Sequence, residues 1–253
     1  MKYLHPWVLS GLLAVGIAGT VWLSVSTTNR QVAWMDSVQA PPIQHALKLD
    51  VALKQVWQVK VDKGSGTGIA VRLADARVVV LTAAHVIGDA KLAVLTRSER
   101  GPTGDVAVRM VKAEVLKSWP EWDIAILVPL YPQWVTESTV LAKHTPPLGS
   151  RVVHIGCYLG DGFPFSVAEG VVANFNVKPS EDVCPDWPWK HPLDQTSIGV
   201  LRGCSGGPVF NPAGELVGVV VGSAGPPVSV YVPARDIEPL LKALVDKAPK
   251  SGH

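Results

Sequence analysis

Residues 202–211 read RGCSGGPVFN, and this stretch constrains the fold more than any other part of the chain. Ser205 stands in it among Gly203, Gly206 and Gly207. Residues without a Cβ let the backbone approach closely, so several N–H groups can converge on one point while the serine hydroxyl stays exposed. Taken alone, the stretch also fits an ordinary Gly-Ser turn. Its interpretation as a nucleophile loop therefore depends on residues elsewhere in the chain.

Two polar residues upstream stand beside apolar runs. His85 follows the run VVVLTAA, where the chain leaves a strand and a rigid scaffold can present a side chain to a cleft. Asp123 directly precedes the run IAILV, and a buried acid beside a histidine would fix its tautomer and stabilise the imidazolium. Alone, each residue more often has a structural role. Together with Ser205 they follow the chain order of the chymotrypsin-type triad, at separations of 38 and 82 residues.

Four stretches carry a resemblance to a known family. LTAAH at 81–85, DIAIL at 123–127 and GCSGGP at 203–208 resemble the three signature stretches of trypsin-like serine peptidases. GSGTG at 64–68 resembles the glycine-rich start of a strand in bacterial high-temperature-requirement (HtrA/Deg-type) proteases. The resemblance covers about residues 51–245.

The resemblance implies a role for each of these residues. Ser205 would be the nucleophile, His85 the general base and then acid, and Asp123 the group that orients the histidine. The backbone N–H groups of Gly203 and Ser205 would form the oxyanion hole. The implied activity is that of a serine endopeptidase, which hydrolyses protein or peptide substrates through an acyl-enzyme. The main alternative is a catalytically silent module of the same fold that binds peptides or proteins, because a fold does not fix a function.

The resemblance also implies which residues wall the pocket for the side chain before the cut bond. They are Gly199, Val200, Val221, Gly222, Ser223 and Ser229, and none is charged. A preference for Lys or Arg needs a buried carboxylate, because an unpaired buried cation is strongly unfavourable. We therefore expect Ala, Val or Leu to be preferred. Asp194, eleven residues before Ser205, is the acid that would instead favour Lys or Arg.

The three cysteines allow at most one disulfide bridge. Cys157 and Cys184 are the expected pair in an oxidising compartment, and Cys204 is expected to remain a buried thiol. Cys204 stands at the position where trypsin-like serine peptidases, which the chain resembles, commonly have an Asp or Asn before the serine. It cannot form the ion pair with a new amino terminus that activates animal trypsins, so that switch is expected to be absent. Cys204 as the nucleophile would break the register of the motif.

Short β-rich runs separated by Gly, Asp and Pro predict an all-β fold. Six runs fall at about 51–130: VALKQVWQVKV, TGIAVRL, RVVVLTAA, KLAVLT, VAVRMVKAEVL and DIAILV. A second set falls at about 146–232, with RVVHIG, SVAEGVVANFNV, GPVFN, ELVGVVVG and VSVYV, and counts about six if the long run around Glu169 is split. We expect two six-stranded antiparallel β-barrels of the chymotrypsin-like kind.

Two segments flank or interrupt the second set of strands. Residues 233–247 place Ile237, Leu240, Leu241 and Leu244 on one helical face, which predicts a C-terminal helix packed on the second barrel. Residues 178–192 (KPSEDVCPDWPWKHP) hold two tryptophans and four prolines shortly before the nucleophile. This segment is expected to be either a specificity loop or a stiff cover.

The amino terminus carries an uncharged stretch of nineteen residues, from Trp7 to Val25. As a helix it would span roughly 28 Å, close to the thickness of a bilayer core. We predict a signal anchor or transmembrane segment over 1–25, a linker over 26–50 and a protease domain over 51–253. Lys2 would remain in the cytoplasm and the protease domain would lie outside it, periplasmic or extracellular. A cleaved signal peptide and a secreted protein are the alternative.

Other function classes find little support. A formal net charge of +2 gives no reason to expect a nucleic-acid partner. The histidines and cysteines lack the spacing of a metal site, so we expect no metal and no cofactor. Only 48 residues follow Ser205, which leads us to expect no PDZ domain after the second barrel.

Overall fold

The structure, a computed structural model, describes residues 47–100, 106–178, 188–223 and 227–246. The N-terminal anchor expected over residues 1–25 lies outside this part of the chain. Among the residues described, no helix combines the length and the apolar character that a membrane span requires.

The first six strands close into an antiparallel barrel in the order β1-β2-β3-β6-β5-β4. Their bounds are β1 Val56–Val61, β2 Gly64–Arg72, β3 Val78–Ala83, β4 Leu92–Arg100, β5 Val106–Trp119 and β6 Ile124–Pro129. β3 and β6 are apolar at almost every position and almost entirely buried, as continuous apolar runs predict. They pair directly, with Ala83 opposite Ile124, so the segments that follow β3 and precede β6 are neighbours.

The last six strands close into a second antiparallel barrel in the order β10-β11-β12-β9-β8-β7. Their bounds are β7 Arg151–Tyr158, β8 Phe163–Val177, β9 Leu193–Thr196, β10 Pro208–Phe210, β11 Leu216–Ser223 and β12 Ser229–Pro233. The predicted pair of six-stranded barrels is confirmed. Their main hydrophobic core contains side chains of both, including Leu81 and Ile126 from the first and Ile155 and Val219 from the second.

One detail of the second barrel differs from the prediction. The run around Glu169 is not split into two strands but forms the single long β8. Its first part, to Val171, pairs with β7, and its second part, from Val172, pairs with β9. The run therefore changes its pairing partner at this point, while the strand itself is continuous. The strand that the sequence did not predict is β9, a four-residue segment that is too short and too polar to stand out in the sequence.

Three α-helices and one 3₁₀-helix complete the described fold. They are α1 Leu49–Gln55, α2 Ala84–Ile87, the 3₁₀-helix Pro132–Trp134 and α3 Ala234–Asp246. α1 corrects the prediction that residues 51–55 begin the first strand; it buries Ala52 and Gln55, which are three residues apart on one helical face. α3 confirms the predicted C-terminal helix and buries Ile237 and Leu241.

Candidate active site

His85 and Asp123 are joined by two hydrogen bonds. His85 is the second residue of α2, directly after β3, and Asp123 directly precedes β6. His85 Nδ1, in the tautomer that carries its hydrogen there, donates to Asp123 Oδ2 at 2.7 Å, and the backbone N–H of His85 donates to Asp123 Oδ1 at 2.9 Å. The Asp123 side chain is 9% exposed and that of His85 is 49% exposed. The acid is therefore buried behind a histidine that faces solvent.

The backbone at Asp123 is held in an uncommon conformation. Its φ is +51°, in the left-handed region that Asp tolerates better than most residues. The turn before it is closed by hydrogen bonds from the N–H of Trp122 to Trp119 O and from the N–H of Asp123 to Pro120 O. Its carbonyl in turn accepts a hydrogen bond from Ala84 N–H. The turn thus directs the carboxylate at α2.

Ser205 lies in the loop between β9 and β10, where the glycines are required by close contacts. A Cβ on Gly203, whose φ is +93°, would lie 2.0 Å from Cys157 O. A Cβ on Gly206, whose φ is +86°, would lie 2.0 Å from Thr67 O. The loop therefore packs against the backbone of both barrels at distances that only glycine allows.

Two peptide planes beside Ser205 are fixed by hydrogen bonds to their carbonyl groups. Arg202 O accepts from Leu159 N–H at 2.7 Å, and Cys204 O accepts from Gly207 N–H at 2.9 Å. Because a trans peptide points its N–H opposite to its C=O, the N–H of Gly203 points away from Leu159 and that of Ser205 points away from Gly207. The orientation of both proposed oxyanion donors is thereby set before any substrate binds.

Thr67 connects this loop to the first barrel. Its hydroxyl donates to Gly203 O at 2.7 Å and accepts from Cys157 N–H at 2.9 Å. Its backbone N–H donates to Ser205 O at 2.8 Å. The residue belongs to the GSGTG stretch of β2, where a Cβ on Gly66 would lie 2.8 Å from Ser205 O. The glycine-rich strand is thus a support for the nucleophile loop, a role that its resemblance alone did not reveal.

His85, Gly203 and Ser205 line one cleft of about 840 Å³. Its walls come from both barrels, with Ser65 on one side and Leu159 on the other. Within the described residues, no hydrogen bond joins Ser205 Oγ to His85 Nε2. Catalytic hydrogen bonds are often long in substrate-free sites and tighten when substrate binds. The structure therefore brings the expected nucleophile and base to one cavity, with Asp123 behind the base.

The residues expected to wall the substrate pocket lie outside the lining of that cleft. Val221, Gly222 and Ser223 end β11, where Ser223 pairs with Ser229 of β12. Ser229 is buried, and its hydroxyl shares a 2.8 Å hydrogen bond with Thr196 Oγ1.

Gly199 and Val200, the other two expected pocket residues, precede the nucleophile loop. Gly199 O accepts a hydrogen bond from Tyr158 OH at 3.0 Å. Val200 is half-buried and packs on the hydrophobic cluster that contains Tyr231. Their role as a specificity pocket stays a prediction.

The two described cysteines are buried free thiols. Burial raises the pKa of Cys204 to about 11, and burial also raises the pKa of Cys157. A thiol that is neutral near pH 7 is a poor nucleophile, which favours Ser205 over Cys204 in that role. Cys157 lies fully buried beneath the nucleophile loop, and its expected bridge to Cys184 stays a prediction, because Cys184 lies outside the described residues.

Three residues near the site were not predicted to contribute to it. Trp189 donates its indole N–H to Asp123 Oδ2 at 3.1 Å. His154 is fully buried against Gly156 and Gly207, and its Nδ1 contacts Pro208 O at 2.9 Å. The third is Thr67. Two of the three stood in stretches that the sequence analysis had singled out, Trp189 in the Trp- and Pro-rich segment and Thr67 in GSGTG, while His154 carried no signal.

No cluster of three or more His, Cys, Asp or Glu side chains suited to a metal ion occurs in the part of the chain that the structure describes.

Comparisons with known proteins support the trypsin-like family and the fold. The family model of the trypsin-like peptidase domain matches residues 66–219. HtrA-like serine proteases of Staphylococcus aureus strains MRSA252 and USA300 are each 25% identical to the chain over 189 residues, which is 72% of this chain and 24% of the relative. The chain thus spans about a quarter of the length of these curated relatives.

Solved structures of the Rv3671c protease from M. tuberculosis share the fold. A serine-to-alanine mutant in an inactive form has a TM-score of 0.63 and 21% sequence identity, covering 83% of this chain and 96% of that one. The active form has a TM-score of 0.62 and 22% identity, covering 80% of this chain and 86% of that one. At these identities the likeness is one of fold.

Proposed function

Because the chain belongs to the trypsin-like peptidase family, we propose that it is a serine endopeptidase whose triad is His85, Asp123 and Ser205. The observation that carries the proposal is the 2.7 Å hydrogen bond from His85 Nδ1 to the buried carboxylate of Asp123, at a cleft that also contains Ser205. A serine hydroxyl is a weak nucleophile near neutral pH and needs such an oriented base. The substrates are proteins or peptides.

The reaction proceeds in two stages. His85 Nε2 accepts the proton of Ser205 Oγ as that oxygen attacks the scissile carbonyl carbon, and Asp123 stabilises the imidazolium. The negative charge that develops on the carbonyl oxygen is bound by the N–H groups of Gly203 and Ser205. His85 then protonates the leaving amine, which gives the acyl-enzyme. Water, deprotonated by His85, attacks the ester carbonyl carbon; the bond to Ser205 Oγ then breaks, His85 returns the proton to that oxygen, and the carboxylic acid product leaves.

A fluorophosphonate probe, which reacts only with an activated serine, tests this proposal on the full chain. We expect one adduct, on Ser205, and none in Ser205→Ala. The labelling rate of His85→Ala should fall below about 1% of the wild-type rate, and that of Asp123→Asn should fall by about 10⁴-fold, since the three groups act as one unit. Folded wild-type protein without an adduct would instead support the silent peptide-binding module.

We also propose that residues 7–25 anchor the chain and place its protease domain outside the cytoplasm. The uncharged stretch and the preceding Lys2 support this topology. A reporter enzyme that folds only outside the cytoplasm, fused after His253, should be active with the full chain and inactive when residues 7–25 are deleted. Equal reporter activity in both would contradict the anchor.

A further inference from the structure

The segment from Pro188 to Pro192, here named the strap, crosses the face of the molecule at the Asp123 turn. A proline at each end fixes φ near −65° at those two positions. The strap continues directly into β9, whose Asp194 is buried and paired with Arg235 of α3. It is therefore a short and stiff connection that is anchored in the second barrel.

Trp189 is the contact between the strap and the acid of the triad. Its Nε1–H donates to Asp123 Oδ2 at 3.1 Å, and this is the same oxygen that accepts from His85 Nδ1 at 2.7 Å. Including the bond from the backbone of His85, the carboxylate accepts three hydrogen bonds. A carboxylate so surrounded is fixed in rotation as well as in position.

The indole ring is itself held in place on β11. A Cβ on Gly222 would lie 2.5 Å from Trp189 Cη2, so the ring lies directly against the backbone there. The half-buried ring also packs against the main hydrophobic core. A side chain at residue 222 would displace the indole from Asp123, so the absence of a side chain at Gly222 makes room for this contact.

A second contact joins the strap to the same turn. The ring of His191 packs against that of Trp122 in a tilted arrangement, with centroids 4.4 Å apart and an interplanar angle of 34°. Trp122 immediately precedes Asp123 in the chain. The strap thus holds the carboxylate through Trp189 and the backbone turn through His191. Two contacts on one short segment favour a role in positioning Asp123 over incidental packing.

We propose that Trp189 is a positioning residue for catalysis, which holds Asp123 Oδ2 in line with His85 Nδ1 and shields that hydrogen bond from water. This inference rests on the proposed function. Hydrogen bonds to an ionised group are stronger than those between neutral groups, and loss of the indole donor would leave Asp123 Oδ2 with His85 Nδ1 as its remaining partner in a buried place. The imidazolium formed during the reaction is stabilised only while the carboxylate faces it.

The first test replaces Trp189 by Phe, which retains an aromatic ring over Gly222 but removes the N–H donor. We expect kcat on a peptide substrate to fall about ten-fold or more, with KM changed less than two-fold, because the lost contact acts on the transition state. The matched control is Trp134→Phe, the same exchange at a ring that stacks on Tyr131 away from the cleft. Equal kinetics for the two variants would overturn the proposal.

A coupling experiment separates positioning from loss of stability. If Trp189 acts through Asp123, then Trp189→Phe should slow fluorophosphonate labelling about ten-fold in the wild-type background and less than two-fold in Asp123→Asn. The same ten-fold loss in both backgrounds would show that the ring serves packing alone. Thermal unfolding of Trp189→Phe should stay within a few degrees of the Trp134→Phe control.

A third measurement does not depend on activity. In Ser205→Ala, the NMR resonance of the Trp189 indole N–H should shift when Asp123 is changed to Asn, and the Trp134 indole resonance should not. An unchanged Trp189 resonance would overturn the contact. Wild-type protein that fails to label would overturn the proposed function and the catalytic role together, while the resonance would still decide whether Trp189 binds Asp123.

Discussion

Two features disfavour a side chain at Gly203, its positive φ and a close backbone contact, and mutation can separate their effects. Its φ of +93° disfavours any side chain, and its Cβ position lies 2.0 Å from Cys157 O. Gly149 shares the first constraint, with a φ of +78°, but an added Cβ there would meet nothing within 4 Å. A comparison of the two alanine variants therefore isolates the effect of the close contact from that of backbone strain.

We expect Gly203→Ala to reduce fluorophosphonate labelling by at least about 100-fold, the typical effect of losing one oxyanion donor, because the loop must move to relieve the clash. Gly149→Ala should label within about two-fold of wild type and lose on the order of 1 kcal/mol of stability from strain alone. Circular dichroism would confirm that both variants fold. Near wild-type labelling of folded Gly203→Ala would show that the N–H of residue 203 is not an oxyanion donor.

That His85 and Ser205 meet at one cleft could be predicted, because each lies in a run with a distinctive local pattern. The contributions of Thr67 and Trp189 could not. The Thr67 hydroxyl acts on a carbonyl 136 residues away, and the Trp189 indole acts on a carboxylate 66 residues away. Neither pair has a local pattern that relates its members, since the contacts arise only when the two barrels and the strap are assembled.

At the scale of elements, apolar runs predicted eleven of the twelve strands that the structure describes and failed for β9. This strand has the sequence LDQT, and its aspartate would ordinarily indicate a loop. Asp194 is nevertheless fully buried, because Arg235 donates to both of its oxygens, at 2.6 and 2.7 Å. The partner belongs to α3, 41 residues away, so the sequence offered no local reason to place the acid inside.

The same ion pair bears on substrate preference. A carboxylate already engaged by Arg235 is not free to bind the side chain of a substrate Lys or Arg. A fluorogenic peptide library should therefore show cleavage after Ala, Val or Leu in preference to Lys or Arg, with modest differences among the apolar side chains. Asp194→Asn should leave this ranking unchanged. Ten-fold faster cleavage after Arg than after Val, lost in Asp194→Asn, would assign Asp194 to the pocket after all.

At the scale of the whole molecule, one buried base links stability to pH. His154 of β7 is fully buried, and Pro208 O lies 2.9 Å from its Nδ1. Burial lowers the pKa of His154 to about 4, and the hydrogen bond to Pro208 opposes this only in part. Its Nε2 is buried without a partner among the described residues, so a second proton there would lack an acceptor.

The direction of the pH effect follows from the two protonation states. Between the ordinary pKa of about 6.5 and the folded value of about 4, the unfolded chain binds a proton that the folded chain does not. The free energy of unfolding contributed by His154 is therefore fully present above about pH 6.5 and falls as the pH decreases towards 4. The pKa difference corresponds to a loss on the order of 3 kcal/mol.

His154→Gln tests this contribution, because glutamine retains an amide donor for Pro208 O and has no proton to gain. We expect the fall in thermal midpoint from about pH 7 to pH 5 to be clearly smaller in His154→Gln than in wild type. His144→Gln, the same exchange at an exposed histidine, should retain the wild-type pH dependence.

Since His154 packs beneath Gly207 of the nucleophile loop, the loss of stability in acid should be accompanied by loss of Ser205 labelling. If His154→Gln and His144→Gln show the same pH dependence as wild type, then the acid sensitivity of the fold originates in other groups.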